Sequence, residues 1–207
     1  MIDTLLAFDL ATLAAFMGAS VVLYLTPGAD MMFTIASGAA GGPRAGLAAA
    51  AGISLGVLAH TALAAAGLAA LILAYPAAYD AIRWAGAAYL AFLAWQMWRA
   101  DPRIEAVAGR AMVWRAFRRG FVTNILNPKV GLFVMAFLPQ FTDPANGPVW
   151  QQIVWLGLIL ATGGIVADGA YGVFAGYLAD RVRKGAGTMN KLAALVFGGL
   201  AIRLAAN

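Results

Sequence analysis

Three charged side chains lie within stretches of the sequence that are otherwise apolar. Asp30 follows Pro27 in the stretch YLTPGADMMF. Lys129 follows Pro128 in ILNPKVGLF, and Asp168 interrupts GGIVADGAYG. Charged groups in apolar surroundings are rare, and they typically bind a substrate, carry a proton or pair with one another. These residues are therefore the first candidates for chemistry.

The two prolines predict breaks in the helices that carry Asp30 and Lys129. Proline lacks an N–H group and clashes with the preceding turn, so a helix stops there and restarts. Thr26 and Asn127 precede the prolines and are predicted N-caps, which would place each proline at the first helical position. Each restart would present free N–H groups that attract an anion such as a substrate carboxylate, with water or a neighbouring side chain as the alternative partner. The predicted substrate-binding residues are Thr26, Pro27, Gly28, Asp30, Asn127, Pro128 and Lys129.

The charges of Asp30 and Lys129 differ in how they suit a helix N-terminus. The Asp30 carboxylate complements the helix dipole, so a purely structural role is an open alternative. The Lys129 ammonium opposes the dipole and should have a partner, which we expect to be Asp30, Asp168 or a bound anion. An Asp30–Lys129 ion pair that only ties the two breaks together is the alternative to substrate binding.

Three residues are candidates for proton coupling: Asp30, Asp168 and His60. An intramembrane carboxylate can carry a proton or bind a substrate amine, whereas an interhelical hydrogen bond is the structural alternative for Asp168. His60 is the single histidine, and histidine changes its charge near neutral pH. A hydrogen bond at a helix contact is the favoured interpretation of His60.

The composition indicates that these residues lie in a membrane. The chain has 207 residues, of which 63% are hydrophobic and 11% are charged, and its mean hydropathy is +0.81. Soluble domains carry about 25% charged residues, so lipid is the expected solvent for most side chains. The absence of cysteine and the single histidine argue against thiolate and multi-histidine metal sites. The net charge of +5 is spread over the joints between apolar runs, which argues against nucleic-acid binding.

Six apolar runs are long enough to cross a bilayer, which takes about 20 residues. The predicted spans are roughly 6–38 with a break, 45–74, 80–99, 119–139, 149–179 and 190–205. Lys and Arg concentrate in the first, third and fifth connections, whereas the second and fourth contain none. The positive-inside rule then places the first, third and fifth connections in the cytoplasm and both termini on the other side of the membrane.

The two breaks also align as an internal repeat. When Pro27 is placed on Pro128, Phe16 falls on Phe117. Three spans per unit is an odd number, so the second unit would enter the membrane from the opposite side, as in many secondary transporters. The predicted fold is an all-α integral membrane protein of six helices in two inverted three-helix repeats, with helices 1 and 4 broken at Pro27 and Pro128. Independent proline kinks are the alternative. The predicted units are residues 1–110, which include the start of a basic cytoplasmic connection, and 111–207.

The stretch GISLG matches the G-x-S-x-G pattern of hydrolase nucleophiles, but its context is wrong. That pattern needs a turn between a strand and a helix, and Ser54 lies inside a long helical run. His60 is six residues further on, about 9 Å along the axis and about 240° around it, so it cannot reach Ser54. Gly52 and Gly56 are instead predicted to form a face where another helix packs closely. We therefore expect no enzyme.

Four stretches together resemble the LysE/RhtB family of bacterial amino-acid exporters: TPGAD, GGPRAGLAAAAGISLG, AGAAYLAFLAW and RRGFVTNILNPKVGLFVMAFLPQF. The resemblance covers nearly the whole chain, and the last stretch is the most specific. It implies export of amino acids or their derivatives across the bacterial inner membrane, driven by the proton gradient. Members of the family usually have a second proline where this chain has Ala29, which would make the first break milder.

The sequence therefore predicts a proton-coupled amino-acid exporter. A zwitterionic substrate would place its carboxylate near Lys129 and its ammonium near Asp30 or Asp168. The expected partners are an amino-acid substrate, protons and the lipid bilayer, without a cofactor or nucleic acid, and a homodimer is an open option. A small-cation or metal exporter is the alternative within transport. A scaffold without transport activity would leave the charges at the two breaks unexplained.

Overall fold

The structure is a computed structural model that describes residues 7–67 and 110–178, together with Thr4 and isolated helical positions within 84–99 and 191–202. The described part of the chain is helical and contains no strand. Its α-helices are α1 Leu10–Leu25, α2 Ala29–Gly41, α3 Pro43–Ala65, α4 Arg110–Ile125, α5 Pro128–Leu132 and α6 Val149–Tyr177. A π-helical turn Phe133–Phe137 and two 3₁₀ turns, Leu138–Phe141 and Pro144–Asn146, lie between α5 and α6.

Two of the described helices, α3 and α6, are each long and apolar enough to cross a membrane. Two bent pairs would add two further spans. The axis turns by 56° between α1 and α2, and by 54° between residues 112–125 and 128–141. Large apolar side chains such as Val22, Val166 and Phe174 are exposed, as expected of surfaces that face lipid. The all-α fold, with helices that could cross a membrane, is confirmed, whereas the arrangement of six helices stays a prediction because 80–99 and 190–205 are described only at separate positions.

Helix α3 is packed between α4 and α6 by contacts that only glycine allows. A Cβ atom on Gly52 would overlap the carbonyl oxygen of Phe117, and one on Gly56 would lie 2.5 Å from Asn124 Oδ1. The predicted close-packing face of α3 is therefore confirmed. Ser54 Oγ donates a hydrogen bond to the carbonyl of Ala161 at 3.1 Å, as a helix-contact residue rather than a nucleophile.

The order of these contacts gives the directions of the helices. Contacts between α3 and α4 advance together along both chains, from Ala49–Gly120 to Gly56–Asn124, so these two helices are parallel. Contacts between α3 and α6 run in opposite order, from Gly46–Gly172 to Thr61–Gly157, so these two are antiparallel. Because α2 joins α3 through a tight turn at Gly42 (φ 77°), α2 and α4 run in opposite directions. An inverted repeat requires this relation between the two broken spans.

The second break has the predicted local structure. Helix α5 begins at Pro128, and the side chain of its N-cap, Asn127, accepts a hydrogen bond from Lys129 N at 3.1 Å. Asn127 satisfies one of the N–H groups that a helix start leaves free.

The prediction for the first break is wrong in its details. Thr26 is the C-cap of α1 and not the N-cap of α2, and α2 begins at Ala29 rather than at Pro27. The reason is that Thr26 Oγ1 donates backwards to the carbonyl of Val22 at 2.6 Å. The N-cap position is occupied by Gly28, which has no side chain to satisfy the first N–H groups of α2.

Candidate functional site

A cavity of about 30 Å³ lies where the two breaks meet α3 and α6. Its polar lining comprises Tyr24, Thr26, Asp30, Asn127, Lys129 and Asp168, and its apolar lining includes Leu23, Met31, Ile53, Val57, Val130 and Leu160. A water molecule needs about 10–15 Å³ of such space, so the cavity is large enough for water and too small for an amino acid. Its walls must separate before a substrate of that size can bind.

Lys129 reaches across the cavity to the end of α1. Its Nζ donates to the carbonyl oxygens of Leu23 at 2.8 Å and of Thr26 at 2.7 Å. The carbonyl of Leu23 would ordinarily accept from the N–H four residues later, but that residue is Pro27, which has none. Lys129 supplies the missing donor and places its positive charge at the negative end of the α1 dipole.

The expectation of Asp30 or Asp168 as the hydrogen-bonding partner of Lys129 is therefore wrong, whereas a bound anion as its partner stays a prediction. Within the described residues, the hydrogen bonds of the ammonium go to backbone carbonyls and not to Asp30 or Asp168. At the start of α5, the helix to which Lys129 belongs, its charge is unfavourable. The side chain extends instead to the C-terminus of a different helix, where a cation is favourable.

His60 contacts a backbone carbonyl at the second break, as Lys129 does at the first. Its Nε2 lies 3.2 Å from the carbonyl oxygen of Asn124, which is four residues before Pro128 and so lacks its usual helical donor. Asn124 keeps a backbone partner, because the N–H of Asn127 also donates to it at 3.0 Å. The favoured interpretation of His60 as a helix-contact residue agrees with this geometry. His60 does not line the cavity.

The two carboxylates differ in their partners. Asp30 Oδ2 accepts a hydrogen bond from Asn124 Nδ2 at 2.8 Å. Asp168 is only 8% exposed and faces the cavity, and the described residues contain no hydrogen-bond donor to its side chain. A buried carboxylate without a donor is costly in its ionised form. Asp168 is therefore open to an ammonium group or a proton.

Two polar residues of the site were missed by the sequence analysis. Tyr24 lines the cavity and donates from its hydroxyl to the carbonyl of Leu160 at 2.6 Å. Asn124 is fully buried and links Asp30 to His60. Asn124 could have been found, because an amide four residues before a proline in an apolar helix lies beside a carbonyl without its helical donor. Nothing in the sequence near Tyr24 distinguishes it from an aromatic residue of the core.

The arrangement thus brings together most of the predicted site residues, although their roles remain a prediction. Thr26, Gly28, Asp30, Asn127, Lys129 and Asp168 all line one cavity. The described residues contain no group of three or more His, Cys, Asp or Glu side chains that could hold a metal ion. The cavity can offer a cation and a carboxylate to one small molecule, together with the uncapped start of α2.

Broken membrane helices around a charged cavity are typical of secondary transporters. The chain belongs to the family described as LysE type translocator, whose sequence model matches residues 21–207. The expected family is therefore confirmed.

Three curated relatives each cover most of the chain. A protein of Vibrio cholerae named uncharacterized membrane protein is 31% identical over 95% of this chain and 98% of its own. A homoserine/homoserine lactone efflux protein of Salmonella typhimurium is 34% identical over 81% of this chain and 80% of its own. A leucine efflux protein of Klebsiella pneumoniae is 32% identical over 66% of each chain. No solved structure gives a significant match.

Proposed function

We propose that this protein exports amino acids or their derivatives across the bacterial inner membrane in exchange for protons. The observation that carries the proposal is that Lys129 and Asp168 line the same cavity. Among the described residues, neither has a counter-ion within hydrogen-bonding distance. The names of the relatives, which include homoserine/homoserine lactone efflux and leucine efflux, support a substrate of this class.

The substrate carboxylate binds Lys129 in place of the carbonyls of Leu23 and Thr26. The uncapped N–H groups at the start of α2 lie next to it, because the position of a Cβ atom on Gly28 is 3.4 Å from Lys129 Nζ. Free N–H groups and the positive end of a helix dipole favour an anion. The substrate ammonium binds Asp168, which has no donor of its own. Apolar side chains around the cavity contact the remainder of the substrate.

Transport in proteoliposomes tests the proposal. The panel contains the labelled common amino acids, homoserine and its lactone, together with sodium and potassium ions. We expect export of at least one amino acid or derivative, with acceleration by an imposed pH gradient. Accumulation of an inorganic cation without any amino acid would instead favour the small-cation exporter and contradict the proposal.

The Lys129→Met variant tests whether Lys129 binds the substrate. We expect the variant to fold and insert but to lose export by at least 100-fold, because the substrate carboxylate loses its counter-ion. Lys129→Arg should recover only part of the rate, since guanidinium and ammonium differ in shape. The control is Lys191→Met, the same substitution at an exposed position, which should export at the parental rate. Parental export by Lys129→Met would remove Lys129 from the binding site.

A further inference from the structure

The buried polar groups around Asn124 include more hydrogen-bond acceptors than donors. Three buried side-chain atoms in the described part of the chain have no hydrogen-bond partner: Asp30 Oδ1, Asn124 Oδ1 and His60 Nδ1. The first two atoms are acceptors. His60 Nδ1 is an acceptor in the neutral ring, because Nε2 must carry the hydrogen that bonds the carbonyl of Asn124. Unpaired buried acceptors are rare and costly, and three in one connected cluster require an explanation.

The orientation of the Asn124 amide is determined by its neighbour. Asp30 Oδ2 lies 2.8 Å from Asn124 Nδ2, and a carboxylate can face the NH₂ group but not the carbonyl oxygen of an amide. Asn124 therefore cannot turn to relieve its own oxygen without losing the donor to Asp30. The excess of acceptors therefore does not depend on how the Asn124 amide is oriented. One added proton would convert one of the acceptors into a donor.

Three helices contribute to this cluster, and only one of its members faces the cavity. Asp30 comes from α2, Asn124 from α4 and His60 from α3, and Asp30 alone lines the cavity. The charged groups that face Asp30 from the other packed elements are Lys129 of α5 and Asp168 of α6, which line the same cavity. A proton can therefore pass between water in the cavity and Asp30 without crossing the packed helices.

We propose that Asp30 Oδ1 holds the exchanged proton, and that Asn124, which donates to Asp30 Oδ2, is its positioning residue. This inference rests on the proposed function and divides the two carboxylates between two ligands, with the substrate ammonium on Asp168. In the proton-loaded state, Asp30 is a neutral acid. When the substrate binds, its ammonium favours the ionised form of Asp30 because opposite charges attract, and the O–H bond of Asp30 breaks to release a proton to water in the cavity.

Two transport assays separate the roles of the carboxylates. The substrate is the labelled compound of the panel that the parental chain exports fastest. The first assay measures exchange of labelled for unlabelled substrate at equal pH on both sides, and the second measures accumulation driven by a pH gradient. Asp30→Asn resembles the protonated acid, which by linkage binds substrate more weakly. It should reduce gradient-driven accumulation at least tenfold, and the exchange that remains should no longer change when the first assay is repeated at several pH values. Asp168→Asn should reduce both at least tenfold, and Asp9→Asn, at the exposed start of α1, should change neither.

A measurement on the parental protein keeps the inference testable even if Asp30→Asn does not fold. Addition of substrate to the purified protein in weak buffer, followed with a pH-sensitive dye, should release about one proton per substrate bound. His60→Gln keeps an N–H donor for the carbonyl of Asn124 and should release the same amount. Loss of proton release in His60→Gln with retained binding would place the proton on His60 and overturn the assignment.

Other results would also overturn it. Gradient-driven accumulation by Asp30→Asn at the parental rate would show that Asp30 does not carry the proton. Exchange by that variant with the parental pH dependence would place the proton on another group, and dependence of parental accumulation on a sodium gradient instead of a pH gradient would exclude a proton. If the parental chain transports no compound of the panel, the proposed function itself fails, which is distinct from a failure of this assignment.

Discussion

The two helix breaks both follow from a proline in an apolar helix but are stabilised in different ways. Leu23 and Asn124 each lie four residues before a proline, and both carbonyls lack the usual helical donor. The carbonyl of Asn124 accepts from the backbone of Asn127 and from the buried side chain of His60. Among the described residues, the carbonyl of Leu23 accepts only from Lys129, whose side chain is partly exposed.

This difference indicates which of the two breaks would rearrange when a substrate binds. The second break is satisfied by groups that belong to packed helices and has a side-chain N-cap at Asn127. The first break has no side-chain cap at Gly28 and depends on an ammonium group that a substrate carboxylate would attract. When the substrate binds Lys129, the end of α1 loses its donor. The first break is therefore expected to rearrange while the second keeps its geometry.

The largest expected effect tests the dependence of the first break on Lys129. Lys129→Met removes the charged donor to the partly buried carbonyl of Leu23, and a hydrogen bond to a charged group contributes about 1.5–3 kcal/mol, so thermal unfolding in detergent should begin at a lower temperature. Adding Pro27→Ala supplies an N–H group four residues after Leu23, and the double variant should regain most of this stability without regaining export. If the double variant is no more stable than Lys129→Met, the carbonyl of Leu23 is not what Lys129 stabilises.

A smaller effect is expected from the residues that precede the two prolines. Asn127→Ala removes a side-chain N-cap and should lower the free energy of unfolding by about 0.5–2 kcal/mol. Thr26→Ala should cost less than about 0.5 kcal/mol, because the carbonyl of Val22 keeps the N–H of residue 26 as a donor. Thermal shift measurements on both variants give the comparison. Equal losses would mean that the two breaks do not differ in their caps.

His60 should matter less to stability than Lys129, because the carbonyl that it contacts keeps a backbone donor. His60→Leu should cost about 0.5–1.5 kcal/mol, the net value of one hydrogen bond, and His60→Gln should cost less. The unfolding midpoints of both variants in detergent are the measurement. If His60→Leu lost more stability than Lys129→Met, the second break would depend on its side-chain donor more than the first, contrary to the prediction.

The smallest effect is expected at a helix start outside both breaks. Asp9 is the N-cap of α1, and hydrogen bonds from the Thr12 side chain and backbone N–H lower the pKa of its carboxyl. A lowered folded-state pKa stabilises the fold above the unfolded value of 3.8 and is lost as the pH falls through the lower folded value. Asp9→Ala should therefore differ from the parent slightly at neutral pH and not at all well below pH 3.8, as measured by thermal unfolding against pH.

Much of the fold follows from local rules that the sequence displays. Proline in an apolar run breaks a helix, Asn127 before Pro128 caps the restart, and glycines four apart allow close packing. The failure at Thr26 has a local cause, because its hydroxyl can cap the following helix or bond back to the preceding turn, and the sequence does not decide between them. The bend between α1 and α2 is as large as the second bend, so Ala29 in place of a second proline does not make the first break milder.

The candidate site could be predicted in its residues but not in its contacts. Asp30, Lys129 and Asp168 stand out because charge in an apolar segment is costly, and the structure places them on one cavity. The partner of Lys129 is a carbonyl 106 positions away in sequence, and no local rule identifies it. The position of each proline shows which carbonyl lacks its helical donor, namely the one four residues earlier. Only the packing of α3 and α5 determines which side chain replaces that donor.

The glycine contacts at the far end of α2 also have a mechanical consequence. A Cβ atom on Gly38 would overlap the carbonyl of Gly172, so the backbones touch there and α2 has a fulcrum near its C-terminal end. Ala29, at the start of the helix, is nine residues from that fulcrum, a lever arm of about 13 Å. A tilt of about 10° would displace the start of α2 by about 2 Å, at the point where the helix borders the cavity. Gly38 and Gly172 thus give this short helix a point of close contact, and an outward rotation about that point would widen the space beside Lys129.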